Sequence, residues 1–136
     1  MGFTVKVEQA AHRHHDAAKS LDSASKRAAA AYLFGLTAEC AVKSTLEKLK
    51  VRPKEPRKTD PYYAHFPELR NLLSDALQGR MGKVLAPFTT NDFLRDWDIA
   101  IRYAPSDEIV GSGPSDKRYE RWKTDANTAI KAMEET

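Results

Sequence analysis

The chain of 136 residues carries a net charge of +3, and 41% of its residues are hydrophobic and 30% charged. These values predict one globular domain over residues 1–136, and no low-complexity tract or internal repeat is apparent in the sequence. With Cys40 as the single cysteine, an internal disulfide is excluded. No apolar run approaches the roughly 18 residues of a membrane span, and the first residues lack a signal-peptide pattern. We therefore expect a cytoplasmic protein that has no contact with a membrane.

The first half of the chain predicts two long helices. Small or apolar residues recur at helical spacing from Val7 to Leu21, and the capping residues Asp22–Ser25 separate this helix from a second over Lys26–Lys50. Gly35 lies inside the second helix and costs about 1 kcal/mol relative to alanine unless another helix approaches closely there. The apolar residues that this helix is expected to bury are Tyr32, Leu33, Leu36, Cys40, Leu46 and Leu49.

The second half predicts three more helices and no strand, so the chain is expected to be all-α. A third helix begins within His65–Leu73, a fourth covers Asn91–Ala104 after a cap at Thr89 or Thr90, and a fifth runs from about Ser115. The expected buried residues are Phe66, Leu69, Leu72, Leu73 and Leu77 in the third helix, Phe93, Leu94, Trp97, Ile101 and Ala104 in the fourth, and Tyr119, Trp122, Ala126, Ile130 and Met133 in the fifth.

A cluster of three histidines and an aspartate lies in the first predicted helix, at His12, His14, His15 and Asp16. His14 falls on the apolar side, whereas His12 and His15 share another face, so the three imidazoles cannot converge on one ion. No paired cysteine or spaced histidine elsewhere completes a set of ligands. We therefore expect no metal and no cofactor, and a packed His14 with one ring nitrogen hydrogen-bonded.

A polar face of the fourth predicted helix is a candidate binding surface. Asn91, Arg95, Asp98 and Arg102 fall on this face, opposite the apolar residues. Two interpretations stay open: the two arginines form salt bridges with Asp98 on an exposed surface, or they contact a phosphate.

Two further charged features each have a structural and a functional interpretation. Glu39 and Lys43 lie four residues apart near the apolar face of the second helix. They form either a structural ion pair or part of a binding site. The segment Lys48–Lys58 carries six basic residues against one acidic residue. This basic segment is either a solvated loop or a contact for a polyanion.

Three sequence pieces in this order resemble the signatures of the HEPN domain family, named for higher eukaryotes and prokaryotes nucleotide-binding. The pieces are AAAAYLFGLTAECAVKSTLEKL, HFPELRNLL and WDIAIRYAP, and they span Ala28–Pro105. The resemblance implies an antiparallel bundle of four or five helices, frequently a homodimer. Members of the family include metal-independent ribonucleases of toxin and defence systems, partners of nucleotidyltransferases, and non-catalytic modules that bind nucleotides or RNA.

The nuclease members of that family carry an arginine that is followed, after four to six residues, by a histidine. Counted from Arg102, those positions hold Asp107, Glu108 and Ile109, and Arg57 is separated from His65 by seven residues. Cleavage of RNA without a metal generally calls for a base and an acid near neutral pKa, a role suited to histidine. The absence of the motif favours binding over catalysis.

Three functions stay open from the sequence. The first is a HEPN-like module that binds a nucleotide or RNA through Arg102 and Tyr103, with Arg95, Asp98 and the basic segment assisting. Glu39 and Lys43 are further candidates for that site. The second is a structural bundle that binds a second copy of itself or a partner protein. The third is a divergent ribonuclease, with Asp107 or Glu108 as its base.

Overall fold

A computed structural model describes residues 5–49, 64–76, 82–110 and 117–136, and the regular structure in these ranges is entirely helical. The α-helices in these ranges are α1 (Val7–Ser23), α2 (Arg27–Leu49), α3 (Glu68–Ala76), α4 (Gly82–Leu85), α5 (Ser106–Ile109) and α6 (Lys117–Glu135). The described residues also include two 3-10 helices, Ala86–Thr89 and Ile99–Tyr103. Among the described residues, none of these helices is long and apolar enough to cross a membrane. Most of the basic segment, together with Leu77 and Ser115, lies outside the described residues.

The three long helices α1, α2 and α6 pack side by side, and contacts at their two ends fix their directions. Lys48 near the end of α2 forms an ion pair with Glu8 near the start of α1, at 2.9 Å. At the other end of α1, Asp22 accepts a hydrogen bond from Lys123 in the first half of α6, at 2.7 Å. Lys48 also donates to the carbonyl of Met133, at 3.0 Å. Helix α6 therefore runs antiparallel to α1 and parallel to α2.

Helix α2 lies at the centre of the molecule, and its middle is buried on several sides. The predicted residue Leu46 is fully buried, whereas the other predicted residues pack only partly against the core. Most of the fully buried positions are small residues and Phe34, because α1, α6 and the 93–97 segment approach different faces of this helix. The fully buried hydrophobic residues of α2 are Ala30, Ala31, Phe34, Ala38, Ala41, Val42 and Leu46.

The predictions for α1, α3 and α6 are confirmed in the described residues. Helix α3 begins at Glu68, directly after Pro67. In α6, every residue of the predicted inner face is buried, namely Tyr119, Trp122, Ala126, Ile130 and Met133. These segments have one apolar face against the core, the case in which helical periodicity is most informative.

The prediction of a fourth helix over Asn91–Ala104 is wrong. Residues 91–96 form turns, and regular structure resumes only in the 3-10 helix Ile99–Tyr103. Leu94 and Asp96 have positive φ values of 50° and 68°, which an α-helix does not allow. Thr89 does not cap a helix here, because its hydroxyl donates to the carbonyl of Ala86 at 2.8 Å.

Side chains from distant helices satisfy the backbone of this segment in place of helical hydrogen bonds. From α3, Arg70 donates to the carbonyl of Phe93; from α6, Trp122 donates to the carbonyl of Arg95 at 2.8 Å, and Asp125 accepts from the amide of Leu94 at 2.8 Å. A buried backbone group needs a partner but not a helical one. The apolar residues Phe93, Leu94 and Trp97 are buried as predicted, whereas Ile101 and Ala104 are only partly buried.

The side chain of Trp97 explains why a glycine stands inside α2. The fully buried indole donates a hydrogen bond to the carbonyl of Ala31 at 3.0 Å and covers Gly35. A Cβ atom added at Gly35 would lie 1.8 Å from the indole carbon Cε2. The sequence predicted that Gly35 would be costly unless another helix packed closely against it. Close packing does occur at Gly35, but it comes from the Trp97 side chain, next to a turn segment, and not from a helix.

Candidate functional site

Arg102 and Tyr103 form an exposed pair of a cation and an aromatic ring at the end of the second 3-10 helix. The guanidinium carbon of Arg102 lies 4.7 Å from the centroid of the Tyr103 ring. Tyr103 is 80% exposed, and the other exposed large hydrophobic residues in the described part of the chain are Val5 and Val84. Tyr103 therefore offers an aromatic face to solvent, whereas the tryptophans are buried.

The residues on either side of the pair confine it to a short 3-10 helix. Asp98 begins the 3-10 helix, and its carboxylate accepts from the amide of Ala100 at 2.8 Å. Pro105, in an extended conformation, follows two residues after Tyr103 and prevents the helix from continuing. The Arg102 guanidinium lies within the roughly 6 Å of a ring centroid at which cation–π contacts occur. Its planar fork of N–H groups can donate two hydrogen bonds to a phosphate.

The predicted polar face does not form, because Arg95, Asp98 and Arg102 do not share a helix. The Asp98 carboxylate caps the 3-10 helix, whereas Arg95 forms an ion pair with Asp92, Nη1 to Oδ1, at 3.6 Å. Arg121 of α6 approaches the same Asp92 oxygen at 3.8 Å. Arg95 therefore lies beside α6, and the prediction that it shares a helix face with Arg102 is wrong.

A groove of about 540 Å³ lies between the start of α2 and the segment that follows the exposed pair in the sequence. It is lined by Ser25–Ala29, at the start of α2, and by Ser106, Asp107 and Val110. Ser106 follows Tyr103 by three residues, so one short segment carries both features. The groove brings the exposed Lys26 near Asp107, and its volume is within the roughly 300–1,000 Å³ of small-molecule sites. Residues so far apart in sequence give no pattern that would have predicted it.

Glu39 and Lys43 lie in the buried middle of α2, with exposed fractions of 2% and 9%. The Glu39 carboxylate contacts Nδ1 of His65 at 2.9 Å and accepts from the amide of Phe66 at 2.7 Å. It therefore joins α2 to the residues that precede α3. His65 is half-exposed, and the sequence did not single it out; the only signal was its place at the start of the HFPELRNLL piece.

The histidine cluster and the cysteine contribute to packing. His15 contacts the Asn127 side chain at 2.7 Å, and His12 lies 4.0 Å from Glu134, so both face α6. Burial is the main cause that lowers the pKa of His15 and of the half-buried His14. Burial also raises the pKa of the Cys40 thiol to about 11, so it is protonated at neutral pH. Among the described residues, no three His, Cys, Asp or Glu side chains come together as metal ligands.

Comparisons with family models, curated proteins and solved structures give no match for this chain. The exposed pair itself offers an aromatic face for stacking and a planar cation for an anion, and the segment that follows it lines a groove with charges of both signs. Such a set suits binding of a ligand that has a ring and a negative charge.

Proposed function

We propose that this protein is a HEPN-like helical module that binds a nucleotide or single-stranded RNA at Arg102 and Tyr103. The observation that carries the proposal is the pair itself, with the Arg102 guanidinium carbon 4.7 Å from the ring centroid of Tyr103, a residue that is 80% exposed. Leaving a tyrosine face in water has no benefit for folding, whereas a base can stack on it. The guanidinium then holds the neighbouring phosphate.

The groove lined by the segment that follows the pair supports the same proposal. Its volume of about 540 Å³ is sufficient for a nucleotide, and Lys26 provides a second cation at its edge. Asp107 and Ser106 supply acceptors and a hydroxyl that suit the polar edge of a base or a ribose.

The resemblance to HEPN domains supports a helical nucleotide-binding module, and the contacts of Glu39 add to it. Glu39 belongs to the first resembling piece, and it contacts His65 and Phe66 of the second. The first and third pieces also touch, through Trp97 and Gly35. Contacts between the pieces give a physical reason for them to occur together in one chain.

Catalysis is not part of the proposal. Asp107 and Glu108, which occupy two of the positions where nuclease members have histidine, are exposed. An exposed, fully hydrated carboxylate is a weak general base, and a histidine is better suited to that role near neutral pH. We also propose a homodimer, which the family resemblance alone supports. Native mass spectrometry of the purified protein would report both the number of subunits and any retained nucleotide.

The first prediction concerns Tyr103 in RNA binding. Stacking of one base contributes about 1–3 kcal/mol, so Tyr103→Ala is expected to weaken binding of a labelled single-stranded RNA by about five- to 150-fold. Arg102→Gln is also expected to weaken it and to reduce its dependence on salt. Fluorescence anisotropy at several salt concentrations measures both effects.

Two variants control this experiment. Tyr103→Phe keeps the ring and is expected to bind nearly as the unaltered protein does, whereas Val84→Ala changes an exposed side chain outside the site. Circular dichroism checks that each variant keeps its helices. Equal affinity of the Tyr103→Ala and unaltered proteins for RNA and for mononucleotides would refute the proposed site.

A further inference from the structure

The chain is held firmly just before the 3-10 helix that carries the exposed pair. Trp97 is 1% exposed, and its indole donates to the carbonyl of Ala31 in α2 at 3.0 Å. The backbone amide of Trp97 donates to the carbonyl of Leu94, also at 3.0 Å. With its side chain and its backbone both bonded, Trp97 is fixed against α2. The positions of Arg102 and Tyr103 therefore depend on how the chain continues after Trp97.

The 3-10 helix Ile99–Tyr103 is itself weakly held by packing. None of its residues is buried. Ile99 and Ile101 pack partly against the core, whereas Arg102 and Tyr103 are exposed. Hydrogen bonds in a 3-10 helix have poorer geometry than those in an α-helix, and a single turn gains little from cooperativity. A helix of this kind depends strongly on the contacts at its ends.

Asp98 supplies those contacts at the start of the helix. Its backbone is extended, with φ −144° and ψ 146°, and its carboxylate accepts from the amide of Ala100 at 2.8 Å. Its carbonyl accepts from the amide of Ile101 at 3.0 Å. The first amides of a helix have no partner further back within it, so this one residue satisfies both. Aspartate is among the residues most favoured at such a position.

We propose that Asp98 is a positioning residue of the RNA-binding site, because its cap holds the 3-10 helix in the conformation that places the Arg102 guanidinium beside the Tyr103 ring. This inference rests on the proposed function. A carboxylate repels a phosphate, so direct contact between Asp98 and the RNA backbone would weaken binding. Asp98 acts instead through the helix backbone. When a segment holds its binding conformation for only part of the time, the apparent affinity falls in proportion to that fraction.

The second prediction compares Asp98→Ala with Asp98→Asn. Both variants lose the same negative charge, but asparagine caps a helix about as well as aspartate and alanine does not. Asp98→Ala is therefore expected to bind labelled single-stranded RNA about two- to tenfold more weakly than Asp98→Asn. Asp98→Asn is expected to bind at least as tightly as the unaltered protein, because a charge that repels phosphate is gone. Fluorescence anisotropy measures the affinities.

A control variant and two further measurements separate the cap from other effects. Asp16→Ala removes an exposed carboxylate of α1 and reports the effect of net charge alone. Because Arg102 is present in both Asp98 variants, their affinities are expected to depend equally on salt. Amide hydrogen exchange, followed by NMR, is expected to be faster at Ile101 and Ala104 in Asp98→Ala than in Asp98→Asn, since both amides are bonded within this segment.

The outcomes distinguish this inference from the proposed function. Equal affinities of the two Asp98 variants for RNA, whether unchanged or both reduced, would overturn the positioning role. If the unaltered protein binds no RNA, the proposed function is refuted, and hydrogen exchange then decides on Asp98. Faster exchange in the alanine variant alone would keep its role in holding the exposed pair, and equal exchange in both variants would overturn that role.

Discussion

The packing of Trp97 on Gly35 is decided at the level of single atoms. Because a Cβ atom at position 35 would lie 1.8 Å from the indole, the side chain of Trp97 or the backbone of α2 would have to move. The indole is fully buried and hydrogen-bonded to Ala31, so it has little freedom to do so. Because the indole is both buried and hydrogen-bonded, it cannot move away easily, and an added methyl group at position 35 would strain the packing.

The third prediction follows from this contact. Gly35→Ala is expected to lower the free energy of unfolding by about 1–3 kcal/mol, although helix propensity alone would raise it by about 1 kcal/mol. Urea denaturation followed by circular dichroism measures the change. In a Trp97→Leu background the same substitution is expected to be much less harmful. An equal loss in both backgrounds would show that the indole is not the cause.

At the residue scale, the sequence located Gly35 and Trp97 but could not connect them. Helix propensity identified the glycine as a cost that required a close neighbour. The sequence placed Trp97 in a helix, whereas its actual position follows from turns with positive φ at Leu94 and Asp96. Non-glycine residues in that conformation are uncommon and leave no reliable signal in a sequence.

At the scale of elements, Glu39 connects α2 to the beginning of α3. Its buried carboxylate accepts the amide of Phe66, a residue that is itself fully buried, and contacts the half-exposed His65. The amide of Phe66 would have no water to bond to if the carboxylate were removed. The position of α3 on the molecule thus depends on one side chain of α2.

The fourth prediction is that Glu39→Ala is destabilising. Leaving the Phe66 amide buried without its acceptor is expected to cost about 1–3 kcal/mol, whereas Glu47→Ala, at an exposed position of the same helix, is expected to change the free energy of unfolding by less than about 0.5 kcal/mol. Urea denaturation measures both. His65→Ala is expected to fall between them, because that side chain is half-exposed. Similar values for the two glutamate variants would contradict this role of Glu39.

The success of helix prediction differed between elements for a physical reason. Helices α1, α3 and α6 each pack one face on the core, so the spacing of apolar residues reveals them. Residues 91–104 carry apolar side chains at a compatible spacing, yet Arg70, Trp122 and Asp125 supply the hydrogen bonds that a helix would have made internally. These donors and acceptors are distant in sequence. For the same reason the sequence proposed Arg102 and Tyr103 but gave no indication of the groove.

For the whole molecule, acid is expected to weaken the fold in two stages. Burial lowers the pKa values of His14 and His15 from 6.5, so the folded state favours their neutral forms. Hydrogen bonds from Lys123 and then Tyr119 lower the pKa of Asp22 from 3.8, so the folded state favours its carboxylate. In both cases the stabilisation is complete above the unfolded pKa and is lost as the pH falls through the folded one.

The fifth prediction is the pH profile that results. The free energy of unfolding is expected to decline first below about pH 6.5, as the histidines become protonated, and again below about pH 3.8. Burial raises the pKa of Asp125, whose protonation offsets part of the second decline. The double variant His14→Gln/His15→Gln is expected to lose the first stage and keep the second. Unfolding curves measured across this pH range test it, and parallel profiles for the two proteins would exclude the histidines as the cause.

The dependence of the 93–97 segment on α6 also sets an order for assembly. Asp125 and Trp122 complete the hydrogen bonds of the turns that lead to Arg102 and Tyr103, and both belong to α6, which follows those turns in the sequence. During synthesis α6 leaves the ribosome after the turns do, so the exposed pair would acquire its geometry only after α6 has docked. A nascent chain that has not yet released α6 would thus be unable to hold a ligand there.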